Sequence, residues 1–192
     1  MNKKLSLILT GCLTAALLQG CVGAIVAGGA AGASAATDRR TMGTIVEDQS
    51  IEIKAKRAIN ADGELADQAR ISTTSFNGVL LLTGQAPNED ARARAADKVK
   101  DIDKVRKVHN EIVIGQPISL QTASRDTWIT TKVKSMLLGA KGISANDIKV
   151  VTDNGAVYLM GLVTHAEADI ASDIASRTDG VERVVRIFEY ID

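Results

Sequence analysis

Phe76-Asn77-Gly78-Val79-Leu80-Leu81-Leu82-Thr83-Gly84 returns 77 positions later as Asp153-Asn154-Gly155-Ala156-Val157-Tyr158-Leu159-Met160-Gly161. Each copy reads as a strand end, an Asn-Gly pair whose residues accept the positive φ of a tight hairpin turn, and a second strand closing on glycine. A period this long exceeds that of a solenoid repeat and suits two copies of a small domain. The second strands, Val79 to Gln85 and Ala156 to Val163, are apolar almost throughout, so cover is expected on both of their faces.

The pattern around the two hairpins also matches. Ile51, Ala55 and Ile59 fall at i, i+4 and i+8, one face of a helix, and Ile129, Val133 and Leu137 repeat that spacing in copy two. Asp62-Gly63 and Gly139-Ala140-Lys141-Gly142 stop these helices. After each hairpin a second helix begins, on the acidic Asn88-Glu89-Asp90 in copy one and on Thr164 with Glu167 in copy two, a capping-box spacing. Ala91, Ala95 and Val99 mark one buried face, and Ala168, Ala171 and Ala175 the other. Final strands are expected over Val105 to Ile114 and Val181 to Ile191. The order is αββαβ twice, an α+β fold of two tandem domains, each a small three-stranded mixed sheet packed on two helices.

The N-terminus lies outside that fold. Lys3 and Lys4 precede an apolar run from Leu5 to Leu18, the anatomy of a secretory signal. Leu18-Gln19-Gly20-Cys21 then resembles a bacterial lipobox, which implies acylation of Cys21 and removal of residues 1–20. Leu9-Thr10-Gly11-Cys12 fits the same pattern but leaves an apolar run shorter than the usual 7 to 15 residues or so. An uncleaved membrane anchor is the alternative reading, since Leu5 to Ala36 carries no charge. The glycines and alanines after Cys21 fit a tether better than a span. With Cys12 removed and Cys21 acylated, no internal disulfide is available. The expected domains are a lipidated tether and linker over 21–49, domain one over 50–115, a linker over 116–124 containing Pro117, and domain two over 125–192.

Charge balances at 23 basic and 23 acidic residues, which gives no footing for nucleic acid. Locally it does not balance. Arg125 to Lys149 carries five basic residues against two acidic, and Val150 to Asp192 three against eight. Catalysis has little to stand on, because His109 and His165 are isolated and no nucleophile elbow or zinc-protease motif is present. The Asp97, Asp101 and Asp103 cluster, flanked by Lys98, Lys100 and Lys104, reads as a solvated face. No cofactor or metal is expected beyond the covalent lipid on Cys21. Gly84 and Gly161 read as structural glycines, where a strand bulges or a backbone approaches closely.

The αββαβ order, the Asn-Gly hairpin, the glycine-ended apolar strand and Val108-His109-Asn110-Glu111-Ile112 resemble the BON domain. Two copies behind a lipobox are similar to dual-BON outer-membrane lipoproteins, most clearly over Asp126-Thr127-Trp128-Ile129-Thr130-Thr131-Lys132-Val133. Arg186 replaces the Asn110 of copy one, a departure that puts a shared role for that position in doubt. The resemblance implies a non-enzymatic module of the periplasmic face of the outer membrane, an anionic phospholipid ligand such as phosphatidylglycerol or cardiolipin, a role in envelope integrity and enrichment at the division site.

Trp128, the only tryptophan, sits one position off the core stripe, about 100° around the helix from Ile129. Lys132 follows one turn on, with Thr131, Lys134 and Ser135 nearby. An indole beside lysines suits a membrane interface, where the ring enters at headgroup depth and the ammonium groups meet phosphate. The alternative is that Trp128 packs on the other domain or the linker. Copy one has Ser50 in the equivalent place, so it is expected to bind lipid poorly. A protein-interaction adaptor, using the doubly apolar strands to meet an outer-membrane assembly or peptidoglycan-remodelling partner, is the competing function.

Overall fold

The computed structural model describes residues 38–192; the signal, Cys21 and the tether lie outside them. Copy one comprises α1 (Met42–Asn60), α2 (Gly63–Gln68), β1 (Arg70–Phe76), β2 (Val79–Ala86), α3 (Glu89–Val99), β3 (Lys107–Asn110) and β4 (Val113–Ile114). Copy two comprises α4 (Leu120–Gly139), a 3-10 turn at Ala145–Asp147, β5 (Ile148–Asp153), β6 (Ala156–Val163), α5 (His165–Ser176) and β7 (Arg183–Tyr190). In each sheet the hairpin strands run antiparallel, and the last strand lies parallel to the central one.

Both hairpin turns take the form their sequence demands, with Asn77 and Gly78 at φ 52° and 74° and Asn154 and Gly155 at 46° and 74°. A carboxylate from the first helix of each copy holds the turn. Asp48 accepts the N–H groups of Asn77 (2.7 Å) and Gly78 (2.8 Å) and the Ser75 hydroxyl (2.7 Å). Asp126 accepts from Asn154 (2.8 Å) and Gly155 (2.9 Å). Both aspartates are buried. They fix the rotation of their helices against the sheets, a tertiary job that a polar residue in an apolar stripe would not suggest.

The apolar central strands are covered on both sides, and the cover is mutual. Leu80 and Leu82 of β2 pack with Ile51, Ala55, Ala95 and Val99 of copy one's helices. Val157 and Leu159 of β6 pack with Ile129, Val133, Ala171 and Ala175. The opposite faces of the strands, Val79 and Leu81 from one copy and Tyr158 and Met160 from the other, meet in a third core with Phe76 and Ile187. Through this unit the layers therefore run helices, sheet, sheet, helices.

Four sequence expectations change in detail. The stretch assigned to a linker through Gln49 is helical from Met42, capped by the Thr41 hydroxyl on Thr44 N (3.1 Å). Its polar composition hides a period because Asp48, not a hydrophobe, faces inward. The 116–124 linker likewise ends early, since α4 begins at Leu120 behind the Ser119 cap on Thr122 N. Copy one carries an extra helix, α2, whose Leu65 plugs its core.

Its final strand is also split in two, so β2 pairs with both β3 and β4 and the sheet counts four strands. Asn110 explains the split. Its side-chain oxygen accepts from Ile112 N (3.3 Å) while its amide donates to Arg92 O (3.0 Å), drawing the backbone out of the ladder. Arg186 of copy two instead reaches outward to Asp169 (2.7 Å), and β7 runs unbroken.

Candidate functional site

Asp126, Ile129, Val133 and Leu137 are the buried side of α4. Trp128 is thereby turned to the solvent side and is 52% exposed. It packs on neither the other copy's core nor copy two's own. The Lys132 ammonium lies 4.8 Å from the centre of its ring, a cation–π contact. That ammonium also donates to Asp179 (2.7 Å), and the hydrogen bond holds the Asp179 carboxyl below the usual carboxylate range. Lys132 is thus a prop that orients the indole as well as a positive charge.

Thr131 and Ser135 share Trp128's outward face, although the Thr131 hydroxyl is turned back to Thr127 O (2.9 Å). Lys134 stands on the flank, exposed and with no ion pair among the described residues, at the mouth of a small pocket lined by Leu137, Leu138, Ala145 and Ile148. Two apolar residues of this surface went unnoticed in the sequence. Leu138 is 72% exposed and Leu120 is 88% exposed. Both are ten residues or fewer from Trp128, close enough to one face to extend its apolar contact along the helix. Their signal was available, because neither fits the Ile129-Val133-Leu137 stripe.

The remaining candidates separate from this site. Burial, helped by the charge of Lys107, lowers the His109 pKa. His165 stacks on Tyr190 at 3.9 Å and contacts the Asp192 carboxylate (2.7 Å). Among the described residues no group of three or more His, Cys, Asp or Glu side chains is placed to hold a metal. Asp97 of the acidic cluster pairs with Lys100 (2.8 Å). Gly84 has φ 118°, and a Cβ there would overlap the Arg70 carbonyl; a Cβ on Gly161 would lie 2.5 Å from Asp147 O. The doubly apolar strands spend their second faces on one another. Among the described residues these faces are closed by the seam.

Fold and site together define a class: a duplicated α+β module, paired through its sheets, that exposes Trp128 and its neighbours on the outward side of a helix. The chain belongs to the BON domain family, which matches residues 47–116 and 125–191. It is similar to the outer membrane lipoprotein DolP of Haemophilus influenzae, with 40% identity over 83% of each chain. A 21 kDa hemolysin of Actinobacillus pleuropneumoniae is 36% identical, covering 80% of this chain and 79% of that one. The osmotically inducible protein Y of Escherichia coli is 27% identical, over 74% and 72%.

Proposed function

We propose that this protein is an outer-membrane lipoprotein, acylated on Cys21, whose second BON module binds anionic phospholipid through α4. The mature chain would start at Cys21 and carry its modules at 50–115 and 125–192, each preceded by the opening turns of its first helix from Met42 and Leu120. The observation that carries the reading is the half-exposed Trp128 on the side of α4 away from the core, propped by Lys132. Leu120 and Leu138 add apolar contact along the helix, while Thr131, Ser135 and Lys134 supply polar and cationic groups for phosphatidylglycerol or cardiolipin headgroups. The name of the Haemophilus relative supports the location. More than one acyl chain on Cys21 would give lasting attachment, because each buried CH₂ is worth about 0.8 kcal/mol. Docking of α4 then selects where on the periplasmic face the protein gathers, including an anionic division site, and through this it supports envelope integrity.

The test is cosedimentation of the non-acylated chain with phosphatidylglycerol vesicles. Binding should be salt-sensitive, and Trp128→Glu should abolish it without moving the melting temperature. Equal binding by that variant removes the proposal. Equal vesicle binding together with loss of a co-purifying envelope protein would favour the adaptor instead.

A further inference from the structure

The seam closes the sheet faces and leaves their edges. Of the edge strands β7 is the longest, eight residues from Arg183 to Tyr190. It pairs with β6 in one unbroken register and, among the described residues, with no strand on its other side. Every second residue of a parallel strand turns its N–H and C=O away from the neighbour, so this edge presents a row of backbone donors and acceptors. The edges of copy one are spent differently. Ser75 of β1 gives its N–H to Glu52 (2.8 Å), and its carbonyl accepts from Lys149 (3.3 Å). The β3 and β4 edge is broken at Asn110.

Edge strands are normally guarded by a free charge, a proline or a bulge that keeps a second strand off. β7 contains no proline, and its register with β6 shows no bulge. Its three charged side chains are all turned across its faces. Arg183 faces Glu111 (3.7 Å), Arg186 pairs with Asp169 (2.7 Å), and Glu189 pairs with Arg106 (2.6 Å). Each charge is engaged with its own fold, and none is aimed along the edge.

A recess flanks the strand on each side. On the helix side, a hollow of about 370 Å³ is lined by Asp169, Ser172, Asp173 and Ser176 of α5 with Val184 and Arg186. On the seam side, one of about 260 Å³ is lined by Arg106, Lys107 and His109 of copy one with Ile187 and Glu189. Asp169 and Asp173 outnumber Arg186 in the first, whereas Arg106 and Lys107 outnumber Glu189 in the second. The side chains of an added strand alternate between these two sides. A complementary segment therefore carries Lys or Arg at every second position and Asp or Glu between them. A second copy of this chain fits poorly. Setting β7 antiparallel against another β7 about a two-fold axis brings α5 toward its own image, acidic side to acidic side.

We infer that β7 is a docking edge for an extended segment of a partner protein, which joins copy two's sheet with its basic side chains toward α5 and its acidic ones toward Lys107. The edge lies across the sheet from β5, on which α4 packs, so the inference stands apart from the phospholipid reading. The probe is an acetylated, amidated octapeptide that alternates lysine and glutamate, added to the isotope-labelled full chain. Amide NMR shifts should cluster on β7, and the β7 amides facing away from β6 should exchange with solvent more slowly by about threefold or more. Asp169→Lys combined with Asp173→Lys should weaken binding about tenfold with the fold retained, because each change trades an attraction for a repulsion. Main-chain pairing has its own signature. Methylating the backbone nitrogens of one alternate set in the peptide, its lysines or its glutamates, should abolish binding, and methylating the other set should not. Absence of shifts on β7, equal binding by both methylated peptides, or equal binding by an isomer with all lysines before all glutamates overturns the inference. Self-association of the chain through β7 overturns it as well, since the occupant is then a second copy.

Discussion

Asp126→Asn, set beside Asp126→Ala, tests how the fold aims its candidate site. The Asp126 carboxylate receives the buried Gly155 N–H and the partly buried Asn154 N–H, one on each oxygen. Alanine leaves both donors without that acceptor. An unpartnered buried donor costs about 2–3 kcal/mol and a partly hydrated one about 1 kcal/mol, so the loss should be about 3–4 kcal/mol. Because the two copies share a core, they should melt together. At about 2–4 °C per kcal/mol for a unit of this size, the midpoint falls by about 6–16 °C. Asparagine keeps one acceptor but turns an amide NH₂ toward the second N–H, donor against donor. It should lose roughly half as much. Calorimetry at pH 7 gives the midpoints, and amide exchange of Gly155 gives the local event, which should quicken in both variants. An Asp126→Asn protein as stable as the parent, with Gly155 still protected, would refute the reasoning. The turn would then be held by its Asn-Gly geometry and strand pairing alone.

Two further outcomes follow from the same geometry. Gly161→Val should lower the melting temperature, since its side chain has no room against Asp147 O, and Gly84→Val should lower it further, because it adds a φ of 118° to a backbone overlap; an unchanged midpoint for Gly161→Val would remove its structural role. The second concerns acid. Hydrogen bonding to Arg39 takes the Glu167 pKa from 4.5 to about 2. A carboxyl depressed on folding contributes stability that is present above its unfolded pKa and lost as pH falls through the folded value. The stability gap between parent and Arg39→Ala should be full above about pH 5 and close toward pH 2, measured as thermal midpoints across that range. A gap independent of pH would mean that Arg39 acts by packing alone.

The hairpins could be read from sequence because their determinants are local: an Asn-Gly pair tolerates positive φ wherever it occurs, and Leu80 to Leu82 admit no solvent on either face. What covered those faces could not be read, since Leu81 and Tyr158 meet only after both sheets exist. The start of α1 was hidden for a related reason. Asp48 occupies an inward position that a periodicity search expects to be apolar, and its justification is a turn about thirty residues away. At the candidate site, Trp128 and Lys132 were legible by helical spacing. The Asp179 that holds Lys132 was not, because the two are 47 positions apart and meet only when the loop after α5 folds back. Leu138 was passed over because its neighbour Leu137 satisfied the core stripe.

Duplication itself constrains where function can sit. Across the seam Arg106 of copy one donates to Glu189 of copy two (2.6 Å), and Arg183 of copy two faces Glu111 of copy one (3.7 Å). These two ion pairs tie the copies together without being images of one another, since the backbone N–H groups of Arg106 and Glu182 are the ones that meet the equivalent turn carbonyls, Gly78 O and Gly155 O. A single copy would leave Val79 and Leu81, or Tyr158 and Met160, on an open apolar sheet, and each copy is near the size where one core alone is marginal. Pairing removes that surface, although the seam faces themselves differ, with Val79 and Leu81 standing where copy two has Ala156 and Tyr158. The outward sides of α1 and α4 remain free to diverge, and there serine at position 50 stands against tryptophan at 128. The turns stay similar because Asp48 and Asp126 each bind two N–H groups there, while differences at the outer helices cost the pairing nothing.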